Sequence, residues 1–255
     1  IAPVMSPIIE TVALAEFCGR AAQSDYITVD TEFIRDKTYW PRLCLVQVAS
    51  AEEAAAIDTL ASGIDLAPLF DLLVQSDTLK VFHAARQDLE IFFVEAGVFP
   101  DPLFDTQVAA MVCGFGEQAG YETLVRKIAK QSLDKSSRFT DWSRRPLTDA
   151  QKTYAIGDVT HLRKIYEFLS AKLAETSRAH WVEEELQMLT RPETYIVDPE
   201  NAWKRVKTRT TSPKFLAIVR ELARFRETHA QSRNIPRNRV FKDDALVELA
   251  STKPA

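Results

Sequence analysis

With 255 residues, the chain has room for one large domain or for one domain and a smaller module. Its 46% hydrophobic content excludes a disordered chain, no apolar run is long enough to span a membrane, and IAPVMSPIIE lacks the basic start and apolar block of a secretory signal. The formal net charge of −4 is uneven: residues 198–255 carry 13 Lys/Arg against 7 Asp/Glu (+6), and residues 1–197 carry 19 against 29 (−10). In chain order, a helix is predicted over about 10–23, followed by a strand over 26–32. LCLVQVAS (43–50) and EAAAID (53–58) read as two more strands. LAPLFDLLVQ (66–75) has amphipathic helical spacing, LKVFHA (79–84) reads as a short buried strand, and RQDLEIFFVEAG (86–97) is a helix that Gly97 stops. Asp105, between PLF and TQVAAMV, is placed as an N-cap. A helix over 121–129, a polar loop over 133–147 and a long helix from about Thr148 to Ala174 complete this part.

Three strands followed by alternating strand and helix imply a mixed sheet with helices packed on it. RPETYIVDP (191–199) reads as a linker, and beyond it only helices are predicted, over about 199–207, 213–232 and 243–250. A basic helical segment attached to an acidic body suits contact with a polyanion, although a merely solvated helical surface has the same composition. Cys18, Cys44 and Cys113 show neither zinc nor disulfide spacing, which points to a reducing compartment and a cytoplasmic location. The missing initiator Met marks a trimmed or excerpted chain.

The chemistry-bearing residues are acids. In YITVDTEFIRD, Asp30 and Glu32 are two apart on a strand and so share a face, in an apolar neighbourhood. An edge strand with one polar face would also carry such a pair. In apolar surroundings, one carboxyl must hold its proton or a cation must sit between the two, and a hard divalent ion with oxygen ligands meets that need. Asp88 lies where the chain passes from strand to helix, a usual place for site residues in α/β sheets, though a helix N-terminus favours an acid there in any case. Tyr154 and Asp158 are four apart on the long helix and share a face, and Gly157 between them suggests close packing, since glycine costs a helix interior about 1 kcal/mol.

Asp-x-Glu on a strand, Asp at a strand-to-helix junction and Tyr-x-x-x-Asp on a helix form an ordered set. It resembles the DEDDy branch of the DEDD 3′→5′ exonucleases, which have a ribonuclease H-like fold. VDTEF, LVQVA, FHAARQDLEIF, PLFDTQVAA and LDKSSRFTDWSRRPLTDAQKTYAIGDV are similar to the bacterial ribonuclease D family over roughly residues 25–170. NAWKRVKTRTTSPKFLAIVRELARFRETHAQSRNIPRNRVFKDDALVELA resembles an HRDC domain, a small helical nucleic-acid-binding module with Trp203, Leu216, Leu222, Phe225 and Leu246 as its core. The chain ends before the last helix expected of that module, so the resemblance implies an incomplete one. The expected fold class is therefore α/β, a ribonuclease H-like mixed sheet flanked by helices, followed by a small all-α HRDC domain. The boundaries are 1–190 for the exonuclease domain, 191–198 for the linker and 199–255 for the helical module.

The resemblance implies a metal-dependent 3′→5′ exoribonuclease that releases 5′-mononucleotides, using two divalent cations, Mg²⁺ or Mn²⁺, about 3.5–4 Å apart. Asp30, Glu32 and Asp158 would hold one ion, Asp30 would bridge to the second, and Asp88 would reach that second ion through water. Tyr154 would orient the attacking water. The backbone near Thr31 and Glu32 would meet the terminal hydroxyl, Phe33 a base and His83 the scissile phosphate. Ordinary core packing for Phe33 and a hydrogen-bonded buried role for His83 stand beside those roles. Lys135, Arg138 and Arg145 would guide the backbone from the polar loop. The implied partners are RNA 3′ ends of tRNA precursors and small structured RNAs, with no membrane and no nucleotide cofactor, and the protein is expected to be a monomer. A DNA exonuclease with the same residues and a catalytically silent RNA-binding module are the two alternatives.

Overall fold

The computed structural model describes residues 6–133, 136–210 and 212–252, which fall into two compact units. The first comprises residues 1–34 and 43–194, the second residues 35–42 and 195–255. Eight residues that the sequence assigns to the exonuclease domain thus cluster with the helical segment.

The first unit is built on a five-stranded sheet of β1 (Tyr26–Ile34), β2 (Arg42–Ala49), β3 (Ala54–Ile57), β4 (Leu79–Phe82) and β5 (Leu103–Asp105) in the order β3-β2-β1-β4-β5. β1–β4 and β4–β5 are parallel, while β2–β3 is antiparallel, so the sheet is mixed as expected. β2 is buried along nearly its whole length, which explains its continuous apolar run. β1 and its parallel neighbour β4 both run into the site. The helices are α1 (Thr11–Ala21), α2 (Ala67–Val74), α3 (Arg86–Ala96), α4 (Thr106–Val112), α5 (Tyr121–Leu124), α6 (Asp149–Thr176) and α7 (Ala179–Leu189). A π-helical turn, Val125–Ala129, follows α5 within the predicted 121–129 helix.

Thr148 starts α6 with a capping box: its hydroxyl accepts from the Gln151 N–H while the Gln151 side chain reaches back to the cap. Gly97 ends α3 at φ 70°, a left-handed position that favours glycine. Among the strands and α-helices of this unit, two were not anticipated. β5 is only three residues long, and α7 buries Val182 and Leu186 at i, i+4 spacing, a pattern short enough to pass as part of a loop. Ile165, Leu169 and Leu173 of α6 pack with Ala109, Ala110 and Leu124 in one core cluster, so α4 and α5 lie along the helix that carries Asp158.

The second unit contains a 3₁₀ segment (Pro199–Arg205), α8 (Pro213–Arg233), α9 (Arg237–Val240) and α10 (Asp243–Thr252). Its buried core is Ala202, Val206, Phe215, Val219, Ala223, Leu246 and Ala250, with Trp203, Leu216 and Leu222 packed against it. Phe225, predicted as core, is instead 59% exposed and stacks on His229 and Phe241. The inward face of α8 runs through Phe215, Val219, Ala223, Arg226 and Ala230 at helical spacing, which turns Phe225 outward. Arg226 is buried beneath that face and donates to Asp243 Oδ1 at 2.6 Å. Tyr39, from the 35–42 segment, donates its hydroxyl to the buried Glu227, and the Tyr39 and Trp40 N–H groups both donate to Asn234 Oδ1 at 3.0 Å.

Candidate active site

The end of β1 organises the site through strand alternation. Thr28, Asp30 and Glu32 share one face, and Thr28 donates to the Val159 carbonyl of α6 at 2.8 Å, so this face looks onto α6. Asp158 comes from that helix, and Asp30, Glu32 and Asp158 present carboxylate oxygens within 4.8 Å of one another. Thr31 faces the other way, and its hydroxyl donates to Asp88 Oδ1, in the first turn of α3, at 2.5 Å. Asp88 is therefore outside the trio but close enough to feel the charge of Asp30.

The turn that delivers Asp88 is held by Asp105. Its carboxylate accepts from the N–H groups of Ala84 at 3.0 Å and Ala85 at 2.8 Å, and as N-cap of α4 from Gln107 at 2.7 Å. Ala84 sits at φ 57°, a left-handed conformation that a residue with a Cβ rarely adopts, and these bonds offset its strain. The sequence placed Asp105 as a cap, and the structure adds this second duty.

Crowding and burial together push every acid of the site upward. Glu32 rises to about 10, through burial first and then the charges of Asp30, Asp158 and Asp88. Asp158 rises to about 7 through burial, against the Tyr154 hydrogen bond and the charge of Arg138. Asp30 lies well above the ordinary carboxylate range through burial and Asp158, and Asp88 through burial and Asp30. The donor set is all hard oxygen, close-set and short of positive charge, which fits a divalent cation of the Mg²⁺ or Mn²⁺ type. Tyr154 hydrogen-bonds the Asp158 carboxylate, and burial with that neighbouring charge holds its phenol above its usual value. It thus keeps its proton at neutral pH.

A cleft of about 300 Å³ opens beside the acids, lined among others by Asp30, His83, Tyr121, Arg138, Tyr154 and Asp158. Tyr121, which no sequence pattern singled out, donates its hydroxyl to the Asp158 main-chain carbonyl and packs its ring 5.3 Å from that of His83. The Thr106 hydroxyl lies 3.0 Å from both the Phe82 carbonyl and His83 Nδ1, and so holds the imidazole in place. Burial lowers the pKa of His83.

The polar loop before α6 proves to be anchored. Trp142 and Leu147 are buried with Cys44, Leu45 and Ala155, and Tyr154 packs against that cluster. Arg145, expected to guide a nucleic-acid backbone, is instead structural. Nε and Nη2 each reach an Asp58 oxygen at 2.6 Å, and the remaining donors reach the carbonyls of Cys44, Trp142 and Arg144. All five guanidinium N–H groups are thereby used. Arg138 lines the cleft, and Lys135 lies outside the described residues. Phe33 is half-buried beside the site. Gly157 is not demanded by close packing: a Cβ there would meet only His161 Nε2, at an ordinary 3.9 Å.

Comparison with known proteins covers both units. Residues 6–174 match the 3′-5′ exonuclease family and residues 215–255 the HRDC domain. The chain is 65% identical to a ribonuclease D of Jannaschia sp. (strain CCS1), over 97% of this chain and 65% of that protein. The crystal structure of Escherichia coli RNase D, described as an exoribonuclease involved in structured RNA processing, superposes with a TM-score of 0.90 at 33% identity, covering 98% of this chain and 67% of that one. A Brucella melitensis NrnC structure with bound Mg²⁺ superposes with a TM-score of 0.61 at 25% identity, over 75% of this chain and 93% of that one. The chain spans just under two thirds of the length of the curated relatives it matches.

Proposed function

Since the chain belongs to the ribonuclease D group of the 3′-5′ exonuclease family, we propose that it hydrolyses RNA from the 3′ end and releases 5′-mononucleotides. The observation that carries this reading is the trio of carboxylates with oxygens within 4.8 Å at the end of β1, with Asp88 beside it. Asp30, Glu32 and Asp158 would hold one divalent cation, Mg²⁺ or Mn²⁺, and Asp30, with Asp88 through water, would hold a second. Bound cations supply the positive charge that activates water and neutralises the departing 3′-oxygen.

The chain's own groups do the positioning. The Tyr154 phenol, protonated and fixed by Asp158, orients the attacking water rather than taking its proton. The backbone at Thr31 and Glu32 meets the terminal hydroxyl, and Phe33 packs on the terminal base, a contact tolerant of sequence because every base has a π-face. His83, on the cleft wall and held by Thr106, meets the scissile phosphate. Arg138, on the cleft wall, and Lys135 meet phosphates. The NrnC structure with Mg²⁺ supports the cation, and the E. coli enzyme's role in structured RNA processing supports structured RNAs as substrates. Within this reading the substrates are tRNA precursors and small structured RNAs, met by a monomer in the cytoplasm.

The test is release of mononucleotides from single-stranded RNA with Mn²⁺. Asp30→Asn and Asp158→Asn should each lose at least about a hundredfold in rate, since even outer partners of a metal command 10–100-fold. Wild-type rates in both variants would refute the assignment.

A further inference from the structure

Away from the acids, the catalytic unit sets cations over aromatic rings. The ammonium groups of Lys127 and Lys172 lie 5.9 and 5.3 Å from the centre of the same ring, that of Phe115. Lys172 is also 6.0 Å from the ring of Phe168, which meets Phe115 edge-on at 6.2 Å. The guanidinium of Arg178 lies 5.3 Å from the Trp181 ring. The charges of Lys172 and Arg178 both bear on the thiol of Cys113, which places the two pairs in one neighbourhood.

Two features separate this patch from an ordinary solvated face. Two ammonium groups lie within 6 Å of one ring centre, which concentrates positive charge that an anion would offset. The positive cluster also stands in a segment whose formal charge is −10, where carboxylates are the commoner partners for a lysine. Two of the three aromatic members are open to solvent, Phe168 at 44% and Trp181 at 48%, while Phe115 is half-buried against the core. Cations interleaved with exposed rings are what a single-stranded nucleic acid needs, phosphates on the first and bases on the second. Tyr154, His161, Phe168 and Lys172 follow one another along α6 at intervals of seven, seven and four, so one face of the helix leads from the acids to the patch. Asp158 and Lys172 are 14 residues apart on α6, about 21 Å at 1.5 Å per residue. That span is on the scale of a strand several nucleotides long.

We propose that Lys127, Lys172 and Arg178, with Phe115, Phe168 and Trp181, form a second single-stranded RNA site, which holds the strand upstream of the end being trimmed. This rests on the exoribonuclease reading above.

The test compares wild type with the double variant Lys127→Gln/Lys172→Gln on RNAs of about twelve and about three nucleotides. The variant should raise KM for the longer RNA roughly tenfold, leave kcat unchanged and leave the short RNA unaffected. The slope of log KM against log salt on the longer RNA should fall by about 1.4, the share of two phosphate contacts on a single strand. Phe168→Ala should raise KM roughly fivefold or more on the longer RNA, with the salt slope intact. Should that variant fold poorly by circular dichroism, the lysine pair carries the test. Equal KM changes at both lengths, or none, would overturn the proposal. Binding of the longer RNA without divalent ions, followed by fluorescence anisotropy, separates the two ideas. If wild type trims neither RNA yet binds the longer one roughly tenfold more tightly than the lysine variant, the exoribonuclease reading falls and the patch stands. Identical affinities in the two proteins would remove RNA as the occupant of this surface and leave it to a protein partner.

Discussion

Binding of Mn²⁺ to the metal-free protein at pH 7 should release at least about 1.5 protons. Glu32, pushed to about 10, is almost fully protonated at that pH, and Asp158, at about 7, is half protonated. A cation needs both as carboxylates, so one proton and half of another must leave; Asp30 and Asp88, also raised, can only add to this number. The apparent affinity should therefore rise about 30-fold between pH 6.5 and 7.5, and less steeply above pH 8, where Asp158 has already ionised. The same shifts act on stability. Each carboxyl titrates higher in the folded chain than the value near 4 of an unfolded one, so the stability they contribute is complete below about pH 4. It is lost as pH rises through about 7 for Asp158 and towards about 10 for Glu32. The melting temperature without metal should fall from pH 5 to pH 9, and Mn²⁺ should restore it most at the alkaline end. Isothermal titration calorimetry in buffers of different ionisation enthalpy counts the protons directly. Metal binding whose heat is independent of buffer, or an affinity flat between pH 6 and 8, would refute the reasoning.

Thr31→Val keeps the shape of the side chain but removes the hydrogen bond that holds Asp88 down. Activity should fall about 10–100-fold, and the acid limb of the pH–rate profile should move to higher pH, whereas a purely structural residue would leave that limb in place. Arg145→Ala strands the Asp58 carboxylate, whose side chain is 9% exposed. A loss of about 3–5 kcal/mol in urea denaturation is expected, with kcat per folded molecule retained. Gly157→Ala finds room for its Cβ and should stabilise α6 by about 0.5–1 kcal/mol, read as a raised melting temperature at unchanged activity; a lower one would show that the glycine is required after all.

Much of the site was legible because its residues are local signals. Asp30 and Glu32 share a face by strand alternation, Tyr154 and Asp158 by helical spacing, and Asp105 caps a helix by its place before one. The strands of the sheet, apart from the short β5, were visible in their apolar runs for the same reason. The misreadings concern residues whose surroundings are not local. Arg145 looked like a free cation in a basic loop, yet Asp58 and Cys44, about ninety to a hundred residues away, take up its donors. Phe225 looked like core because it is aromatic, while its phase on α8 turns it outward. The placement of the His83 ring rests on Thr106, 23 residues on, and the geometry of Asp88 on Thr31 from another element.

By itself, then, the sequence determined which carboxylates face together and on which elements, because the periods of strand and helix are properties of a local backbone. Only the tertiary structure decided that Asp158 closes to within 4.8 Å of Asp30 and Glu32, that Asp88 stands beside them, and that lysines 45 residues apart meet on one phenyl ring. Those outcomes depend on how the helices pack against the sheet, and packing energy is shared among residues that no spacing along the chain brings together.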